Sequence, residues 1–510
     1  MTSRNATAFI TAALVITGLI LYTTRLDYVP PYLIHDEAQG ALQAHAIATT
    51  AHDLSGRLLP LYFTEPEFLP GRDPALIYVT ALGLKVLPFT EAGARTPTAL
   101  VAVLDVVLMF FAARALFRRT WAGVLAAIMI MVAPVHFIRG RLMLSPLYSI
   151  PFVLAWLWAL AKFTEQPTAR RFVAACGWLA LGMYSYLAAV VMMPLYLVMT
   201  VAVAARQLRW RTVLLAGITV TVCLLPMAAW YATHPERNTQ IVSSYQLSAG
   251  SGLSGAIGRY AHLYWGFFDP SYLFVSGDSS LINSTRTSGL FPMAFAVLLP
   301  VGLVAILRSR DALKWVIAAG FFASPIVSVI SGAVEMNRVM FAVPFAVLIA
   351  AWGVIDLWDR RSFVPPALAV ALVAATLLQF GALYRDYLSD SYRLQAATWS
   401  SGNVREALRE LIARSDDSPI YISQEIEWVH RFWRFYAAEA GRLDLVSRTT
   451  YVRDVPDSAP PKSKLLCAAA STACARLLTN GWRNVATVMS FDGSHRYVIL
   501  ERTIGNNQSN

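Results

Sequence analysis

Long apolar segments constrain this chain more than any other feature of its sequence. The 510-residue chain is 56% hydrophobic and only 14% charged, so as a soluble protein it would expose more apolar surface than water tolerates. A hydrocarbon core about 30 Å thick requires roughly 17 to 25 apolar residues per helix. Eleven segments approach or meet that length, and they run over residues 6–22, 97–116, 121–137, 147–163, 172–187, 188–205, 213–231, 290–307, 314–331, 339–357 and 365–383. The sequence therefore predicts an all-α polytopic membrane protein with about eleven, and at most thirteen, transmembrane helices.

Basic residues indicate how these helices are oriented. The first apolar segment begins with Arg4 and has no small-x-small cleavage motif before residue 25, which indicates an uncleaved anchor. Alternate loops hold clusters of Lys and Arg, and the positive-inside rule places such loops in the cytoplasm; they lie at 118–119, 170–171, 206–211, 308–314 and 360–361. These loops account for the net charge of +11 without a nucleic-acid partner. We expect a protein of the cell (inner) membrane with a cytoplasmic amino terminus.

The same orientation places three long segments outside the cytoplasm. They are the loops 23–95 and 232–289, which belong to a transmembrane domain over 1–383, and the carboxy-terminal region 384–510. That region is richer in charged residues and alternates polar with apolar positions, which predicts a small extracytoplasmic α/β domain. We expect helices near 403–414 and 427–440, and strands at 418–422, 484–490 and 496–501.

One apolar stretch, 74–89, complicates the topology. It is 16 residues long, contains Lys85, and as a span would invert every later loop against the charge rule. We interpret it as an interfacial or re-entrant helix. The alternative is a true span combined with one later segment that does not cross.

The four cysteines fall into two pairs. Cys176 and Cys223 lie in apolar segments and are expected to pack there. Cys467 and Cys474 lie in the exterior region, where an oxidising compartment would permit a disulfide but the sequence does not require one. No spacing is typical of a zinc site, so we predict no metal ligands.

An acidic pair, Asp36-Glu37, opens a helical stretch in the first exterior loop. Carboxylates at a helix start in a partly buried cleft are well placed to act as a general base. The alternative interpretation is that they cap the helix and face water, since acidic residues are common in a first turn.

Arginines on the exterior side break the charge rule and therefore require an explanation. Arg139 and Arg141 follow the third apolar segment, and binding a phosphate or carboxylate at the membrane surface would explain them. Asp105, inside the second segment, is a candidate partner for either arginine, or it has a purely structural role.

Two further exterior arginines are candidates for the same phosphate. Arg72 lies in a Gly- and Pro-bracketed turn at headgroup level, where anchoring to anionic membrane lipids is the alternative. Arg338 lies in a polar turn between two apolar segments, where an ion pair with Glu335 is the alternative.

Aromatic and acidic residues near these turns are candidates for substrate binding. Tyr78, Tyr184 and Tyr186 lie at predicted membrane boundaries, where tyrosines usually anchor a protein in the interface and less commonly stack on a sugar. Asp278 ends an aromatic passage of the loop 232–289 whose composition suits a carbohydrate or lipid headgroup.

The order of these motifs resembles the GT-C superfamily of membrane glycosyltransferases, which use polyprenyl-phosphate-linked sugars. The resemblance covers about 6–360 and is greatest to bacterial aminoarabinose and galacturonic acid transferases and to protein O-mannosyltransferases. The motifs are HDEAQ, RDPALIYVTAL with EAGARTPTAL, VAPVHFIRGRLMLSP, GMYSYLAA and FDPSYLFVSGD with STR.

The resemblance implies a fold and a reaction. Asp36 would activate a hydroxyl or amine of an extracytoplasmic acceptor, Glu37 would tune it, and the arginines would stabilise the departing lipid phosphate, with inversion at the anomeric carbon. The donor is already activated, so the reaction needs no nucleotide cofactor. Where metal-dependent oligosaccharyltransferases carry a further acidic motif, this chain has Arg139-Gly140-Arg141, which does not support a metal mechanism.

The sequence departs from the family pattern at two places where the resemblance would imply contacts with phosphate. Many relatives have Lys-Pro-Pro where this chain has Arg72-Asp73-Pro74, and Val190 stands where an arginine is expected. The main alternative function is a transporter or flippase of lipid-linked sugars, which would need the basic outer surface but not Asp36. A membrane scaffold with an exterior binding domain would leave the exterior arginines unexplained.

Overall fold

Helices account for most of the transmembrane domain. The computed structural model describes residues 3–65, 68–236, 253–454, 459–478 and 481–503. Up to residue 387 its helices are α1 (Ser3–Thr23), α2 (His35–Thr50), α3 (Pro74–Leu84), α4 (Glu91–Phe117), α5 (Thr120–Met131), α6 (Pro134–Arg139), α7 (Ile150–Glu165), α8 (Ala169–Gly182), α9 (Ala189–Ala204), α10 (Trp210–Thr233), α11 (Leu253–Gly266), α12 (Phe295–Leu307), α13 (Ala312–Ala323), α14 (Ile326–Ser331), α15 (Met336–Val339), α16 (Val343–Trp358) and α17 (Val364–Tyr387). A short antiparallel pair, β1 (Phe63–Glu65) and β2 (Phe68–Arg72), lies between α2 and α3.

The predicted polytopic helical fold is confirmed. Each of the eleven predicted segments coincides with one helix or with two consecutive helices. Among the described residues, eight helical segments are long and apolar enough to cross a membrane, whereas Pro74–Leu84, Thr120–Met131 and Phe295–Leu307 are shorter. The segment Met336–Trp358 is the most deeply buried of the eight, with 89% of its apolar window inside the protein, so α16 forms the centre of the helical core.

Proline divides the third predicted segment and so creates the turn that carries Arg139. Pro134 has no backbone N–H and disfavours a helical conformation at the residue before it. Ala133 is accordingly extended, with φ −69° and ψ 121°, and α5 ends at Met131 before α6 restarts at Pro134. The segment predicted at 121–137 is therefore not one straight span, and its end is redirected as α6.

The stretch 74–89 contains only α3, which is 11 residues long. At 1.5 Å per residue α3 is about 16 Å long, roughly half of a hydrocarbon core. It packs against α2 and α4, and a Cβ atom on Gly83 would lie 2.5 Å from Pro97 Cγ. Its length agrees with an interfacial or re-entrant helix and not with a complete span.

The carboxy-terminal region forms an α/β domain, as predicted. A five-stranded sheet has the order β4-β3-β5-β7-β6, in which β3 is parallel to β4 and β5, and β7 is antiparallel to β5 and β6. The elements are α18 (Asp390–Ala397), α19 (Arg405–Arg414), β3 (Ile420–Ser423), α20 (Val429–Glu439), α21 (Asp444–Ser447), β4 (Thr449–Val452), β5 (Lys464–Ala468), α22 (Thr472–Leu477), β6 (Trp482–Met489) and β7 (Arg496–Arg502). Cys467 and Cys474 form a disulfide.

This domain rests directly on the loop that follows α1. Ser400 Oγ donates to the Leu33 carbonyl over 3.1 Å, and Arg405 donates to the Pro31 carbonyl over 2.8 Å and pairs with Glu91 at the start of α4. The carboxy-terminal domain therefore fixes the segment that leads into the acidic pair.

Candidate active site

Asp36 lies in the first turn of α2, where its side chain is 34% exposed. The preceding residue, His35, places its Nε2 atom 3.8 Å from Asp36 Oδ1. His35 also stacks on Trp428 of the carboxy-terminal domain, with ring centroids 4.8 Å apart and planes 14° apart. The more exposed member of the acidic pair therefore lies where α2 meets the carboxy-terminal domain.

Glu37, in contrast, is buried, and both of its carboxylate oxygens accept hydrogen bonds. Its two oxygens accept from Arg95 Nε over 2.9 Å and Arg95 Nη2 over 2.8 Å. They also accept the backbone N–H groups of Ile34 and Met143, over 3.2 and 2.9 Å. Glu37 therefore caps α2, as the alternative interpretation expected, but it is buried and does not face water. It also joins α2 to α4 and to the chain beyond α6.

Arg95 is a site-forming residue that the sequence analysis did not single out. Besides Glu37, its guanidinium binds the carbonyls of Pro30 and Tyr32, over 2.9 and 2.7 Å. A usable signal was present in the sequence, because Arg95 stands at the predicted exterior end of an apolar segment and, like Arg139, departs from the charge rule.

Arg139 is a buried cation whose charge is only partly compensated. Its side chain ends α6 and is 2% exposed, and its Nε and Nη1 atoms have no hydrogen-bond partner among the described residues. Burial lowers the pKa of Arg139, whereas the nearby Asp278, Tyr186, Tyr272 and Glu37 oppose that shift. A buried guanidinium with open donors is suited to receive an anion.

Arg139, Tyr186, Tyr272 and Asp278 lie near one another and form what we call the Arg139 cluster. Arg338 lies beside it. Its Nη1 donates to the Tyr186 hydroxyl over 3.0 Å and lies 3.4 Å from Glu335 Oε2, while its Nε donates to Ser331 Oγ over 3.1 Å. The ion pair with Glu335 that the sequence offered as one interpretation is present, and Arg338 also approaches the Arg139 cluster through Tyr186; its role in binding phosphate stays a prediction. Tyr186 lies close to both arginines.

The loop after α11 supplies the remaining members of the cluster. A single turn of π-helix, Ser271–Val275, carries Tyr272, whose hydroxyl is buried and has no hydrogen-bond partner in the described part of the chain. Burial and the Asp278 carboxylate raise the pKa of Tyr272, and Arg139 lowers it. Asp278 accepts from the backbone N–H of Ser280 over 2.8 Å. Tyr272 was not predicted, although it lies in the motif that ends at Asp278.

Arg141 does not join this cluster, contrary to its predicted role. Its Nη1 and Nη2 atoms donate to five backbone carbonyls around the end of α1, those of Leu21, Tyr22, Thr24, Arg25 and Val29, over 2.8 to 3.3 Å. Two residues of separation turn its side chain away from Arg139 and towards α1. The structure therefore gives Arg141 a structural role.

Three other candidates also lie outside the cluster or outside the description. The Tyr78 hydroxyl donates to the Pro60 carbonyl over 2.8 Å, and the Tyr184 hydroxyl donates to the Cys223 carbonyl over 2.6 Å. Both hydroxyls therefore form hydrogen bonds within the protein. The backbone of Arg72 ends β2, but its side chain lies outside the described residues.

Asp105 has a partner other than the two predicted arginines. Its Oδ2 atom lies 3.2 Å from His136 Nε2, and His136 Nδ1 lies 2.7 Å from the Tyr22 hydroxyl. This buried chain of polar groups holds α6 against α1 and α4. Within the described ranges, no three His, Cys, Asp or Glu side chains are grouped to hold a metal ion.

Comparison with known proteins places this geometry in context. A family model described as dolichyl-phosphate-mannose-protein mannosyltransferase matches residues 70–230, and a search of curated proteins gives no match. ArnT from Cupriavidus metallidurans bound to undecaprenyl phosphate superposes with a TM-score of 0.61 at 13% identity, covering 98% of each chain. Its apo state gives 0.59 at 14% identity, covering 97% of this chain and 98% of that one.

An archaeal protein has the same architecture. The oligosaccharyltransferase AglB from Archaeoglobus fulgidus, in complex with an inhibitory peptide and a dolichol-phosphate, gives a TM-score of 0.52 at 12% identity. The match covers 85% of this chain and 64% of that one. At such identities the likeness is one of fold. This multi-pass membrane protein therefore has the GT-C fold that these structures share, and part of its chain matches the mannosyltransferase family model.

Proposed function

We propose that this protein transfers a sugar from a polyprenyl-phosphate donor to a hydroxyl or amine of an extracytoplasmic lipid, glycan or protein, with inversion at the anomeric carbon. The observation that carries the proposal is the buried guanidinium of Arg139, with two open donors, close to the helix start that bears Asp36 and Glu37. A lipid-linked phosphate satisfies such a cation, and the ArnT and AglB structures contain ligands of that class, undecaprenyl phosphate and a dolichol-phosphate.

The chemical step needs a base on one side of the anomeric carbon and a cationic site on the other. Asp36 accepts the proton of the acceptor while the acceptor atom forms its bond to the anomeric carbon. The bond from that carbon to the phosphate oxygen breaks, and its electron pair leaves on the lipid monophosphate. Asp36 later releases the proton to water.

The Arg139 cluster, together with Arg338, stabilises the charge that develops on the leaving phosphate. Arg139 supplies the open Nε and Nη1 donors, and Tyr272 supplies a hydroxyl with no other partner in the described chain. Arg338 adds a second positive charge next to Tyr186. Donors already fixed in a buried site need no reorganisation during the reaction, which makes their contribution large.

Glu37 contributes indirectly to this reaction. Its bonds to Arg95 and to the Met143 N–H fix the start of α2 relative to the chain beyond α6, and thus Asp36 relative to Arg139. We therefore assign Glu37 a positioning role and Asp36 the role of base.

The proposal includes an orientation of the protein in the membrane. The amino terminus lies in the cytoplasm, and Asp36, the Arg139 cluster and the carboxy-terminal domain lie outside, where a flipped polyprenyl-phosphate sugar is available. The distribution of Lys and Arg over alternate loops supports this orientation.

The test is a transfer assay with purified protein in vesicles. Labelled polyprenyl-phosphate hexoses, aminopentoses and uronic acids are supplied with an extract of envelope lipids and glycans, and release of polyprenyl monophosphate is followed. We expect the wild type to turn over one donor class, and Asp36→Asn to bind that donor with no turnover. Full transfer by Asp36→Asn would exclude Asp36 as the base, and donor translocation without transfer by the wild type would favour a flippase.

A further inference from the structure

His35 lies at the junction between the proposed base and the carboxy-terminal domain. Its Nε2 atom is 3.8 Å from Asp36 Oδ1, and its ring stacks on Trp428. None of the roles proposed above for the reaction uses this imidazole.

Ser401 contacts both the backbone and the Nδ1 atom of His35. The backbone N–H of His35 donates to Ser401 Oγ over 3.3 Å, and the same oxygen lies 3.3 Å from His35 Nδ1. A serine hydroxyl that accepts one hydrogen bond still has its own proton to donate. Donation to Nδ1 leaves the imidazole proton on Nε2, the atom that faces Asp36.

Trp428, in the carboxy-terminal domain, stacks on the His35 ring while its own backbone is in a strained conformation. It has φ +55° and ψ 15°, a left-handed conformation that bulky residues rarely adopt. Its indole also contacts the buried Arg431, whose guanidinium carbon is 4.4 Å from the ring centroid. A strained residue fixed by a second contact, and stacked on the neighbour of a proposed base, is typical of a site that requires one orientation.

We propose that His35 is a positioning residue for Asp36, and that Ser401 and Trp428 make the carboxy-terminal domain part of the active site. In this proposal His35 Nε2, which lies 3.8 Å from Asp36 Oδ1, orients the Asp36 carboxylate before it accepts the proton of the acceptor. The inference rests on the proposed function in taking Asp36 as the base. It assigns the carboxy-terminal domain a role in turnover as well as in packing.

The test separates the N–H group of His35 from its aromatic ring. His35→Phe keeps a ring that can stack on Trp428 but removes Nε2–H, whereas His35→Gln places an amide N–H near the position of Nε2 and removes the ring. We expect His35→Phe to lower kcat about 10- to 100-fold, with the KM for the donor and Tm unchanged, as for other residues that orient a functional group. His35→Gln should retain kcat within about threefold of wild type by the same reasoning.

Ser401→Ala provides an independent arm that does not alter the histidine. We expect it to lower kcat in the wild-type background and to have no further effect in the His35→Phe background, because Ser401 acts through His35. Equal losses in both backgrounds would exclude the proposed tautomer control.

The outcomes distinguish failure of this inference from failure of the proposed function. If wild type shows no transfer, or Asp36→Asn transfers normally, the proposed function fails. If wild type is active and Asp36→Asn is not, but His35→Phe matches wild type while His35→Gln loses Tm, then His35 serves only packing and the positioning role is overturned.

Discussion

Arg139 and Arg141 are two residues apart, and the structure predicts opposite effects on stability when each is replaced by methionine. Methionine is flexible and fills a similar elongated space without a charge. Arg139→Met removes a buried guanidinium whose Nε and Nη1 have no partner among the described residues. Arg141→Met removes the donors of five backbone carbonyls at the end of α1.

The magnitudes follow from these contacts. Burying a charge without full compensation costs several kcal/mol, so Arg139→Met should raise the free energy of unfolding by about 1–3 kcal/mol. Arg141→Met leaves buried acceptors unpaired and should lower it by about 3–5 kcal/mol. For turnover we expect the opposite order, with a larger loss for Arg139→Met than for Arg141→Met. Two charge-assisted hydrogen bonds of about 1.5–3 kcal/mol each are lost with Arg139, which corresponds to about 10²- to 10⁴-fold in kcat/KM for the donor.

The assay combines thermal unfolding in detergent with turnover of the polyprenyl-phosphate sugar. Arg139→Met should give a higher Tm and almost no turnover, and Arg139→Lys, which keeps the charge but not the planar set of donors, should retain more of it. Arg141→Met should give a lower Tm. A drop in Tm for Arg139→Met as large as that for Arg141→Met would refute the assignment of an open anion site to Arg139.

Three further predictions concern the framework of the site. Arg95→Met leaves Glu37 buried without its partner and should cost about 3–5 kcal/mol of stability, visible as a lower Tm; an unchanged Tm would contradict the central role of this pair. Gly402→Ala places a Cβ atom 2.2 Å from the Leu33 carbonyl oxygen and should separate the carboxy-terminal domain from the helix start, lowering kcat with no change in donor affinity. Val86→Cys, at a residue 85% exposed between α3 and α4, should react with an impermeant thiol reagent only from outside; labelling only from the cytoplasm would show that 74–89 spans the membrane.

The sequence predicts the helical framework well because lipid imposes a strong rule on it. Each span must be long and apolar, and the structure has a helix at every predicted segment. The breaks were missed where proline interrupts an apolar run, as at Pro134. The strand β5, with the sequence KLLCA, was missed because its first four residues are all buried, so it lacks the polar alternation that marks a half-buried strand.

The residues of the site were predicted less evenly. Asp36 lies at the start of α2, and Arg139, Arg338, Tyr186 and Asp278 lie near one another, while their roles in the reaction stay predictions. Their chemical environments were not visible in the sequence.

Partners distant in sequence decided those environments. Glu37 pairs with Arg95, 58 residues away, and Asp105 pairs with His136 instead of an arginine. Neither pairing follows from local spacing, because it depends on which helix ends converge.

By itself, the sequence determined that this chain crosses the membrane many times, that an acidic pair follows its first span, and that several arginines lie in turns next to later spans. Hydropathy and charge act over short stretches, so they can be read locally. Only the tertiary structure decided that Arg139 remains open while Arg141 is occupied by the carbonyls at the end of α1. Two guanidinium groups of identical chemistry differ there solely in which segments of the chain fold against them.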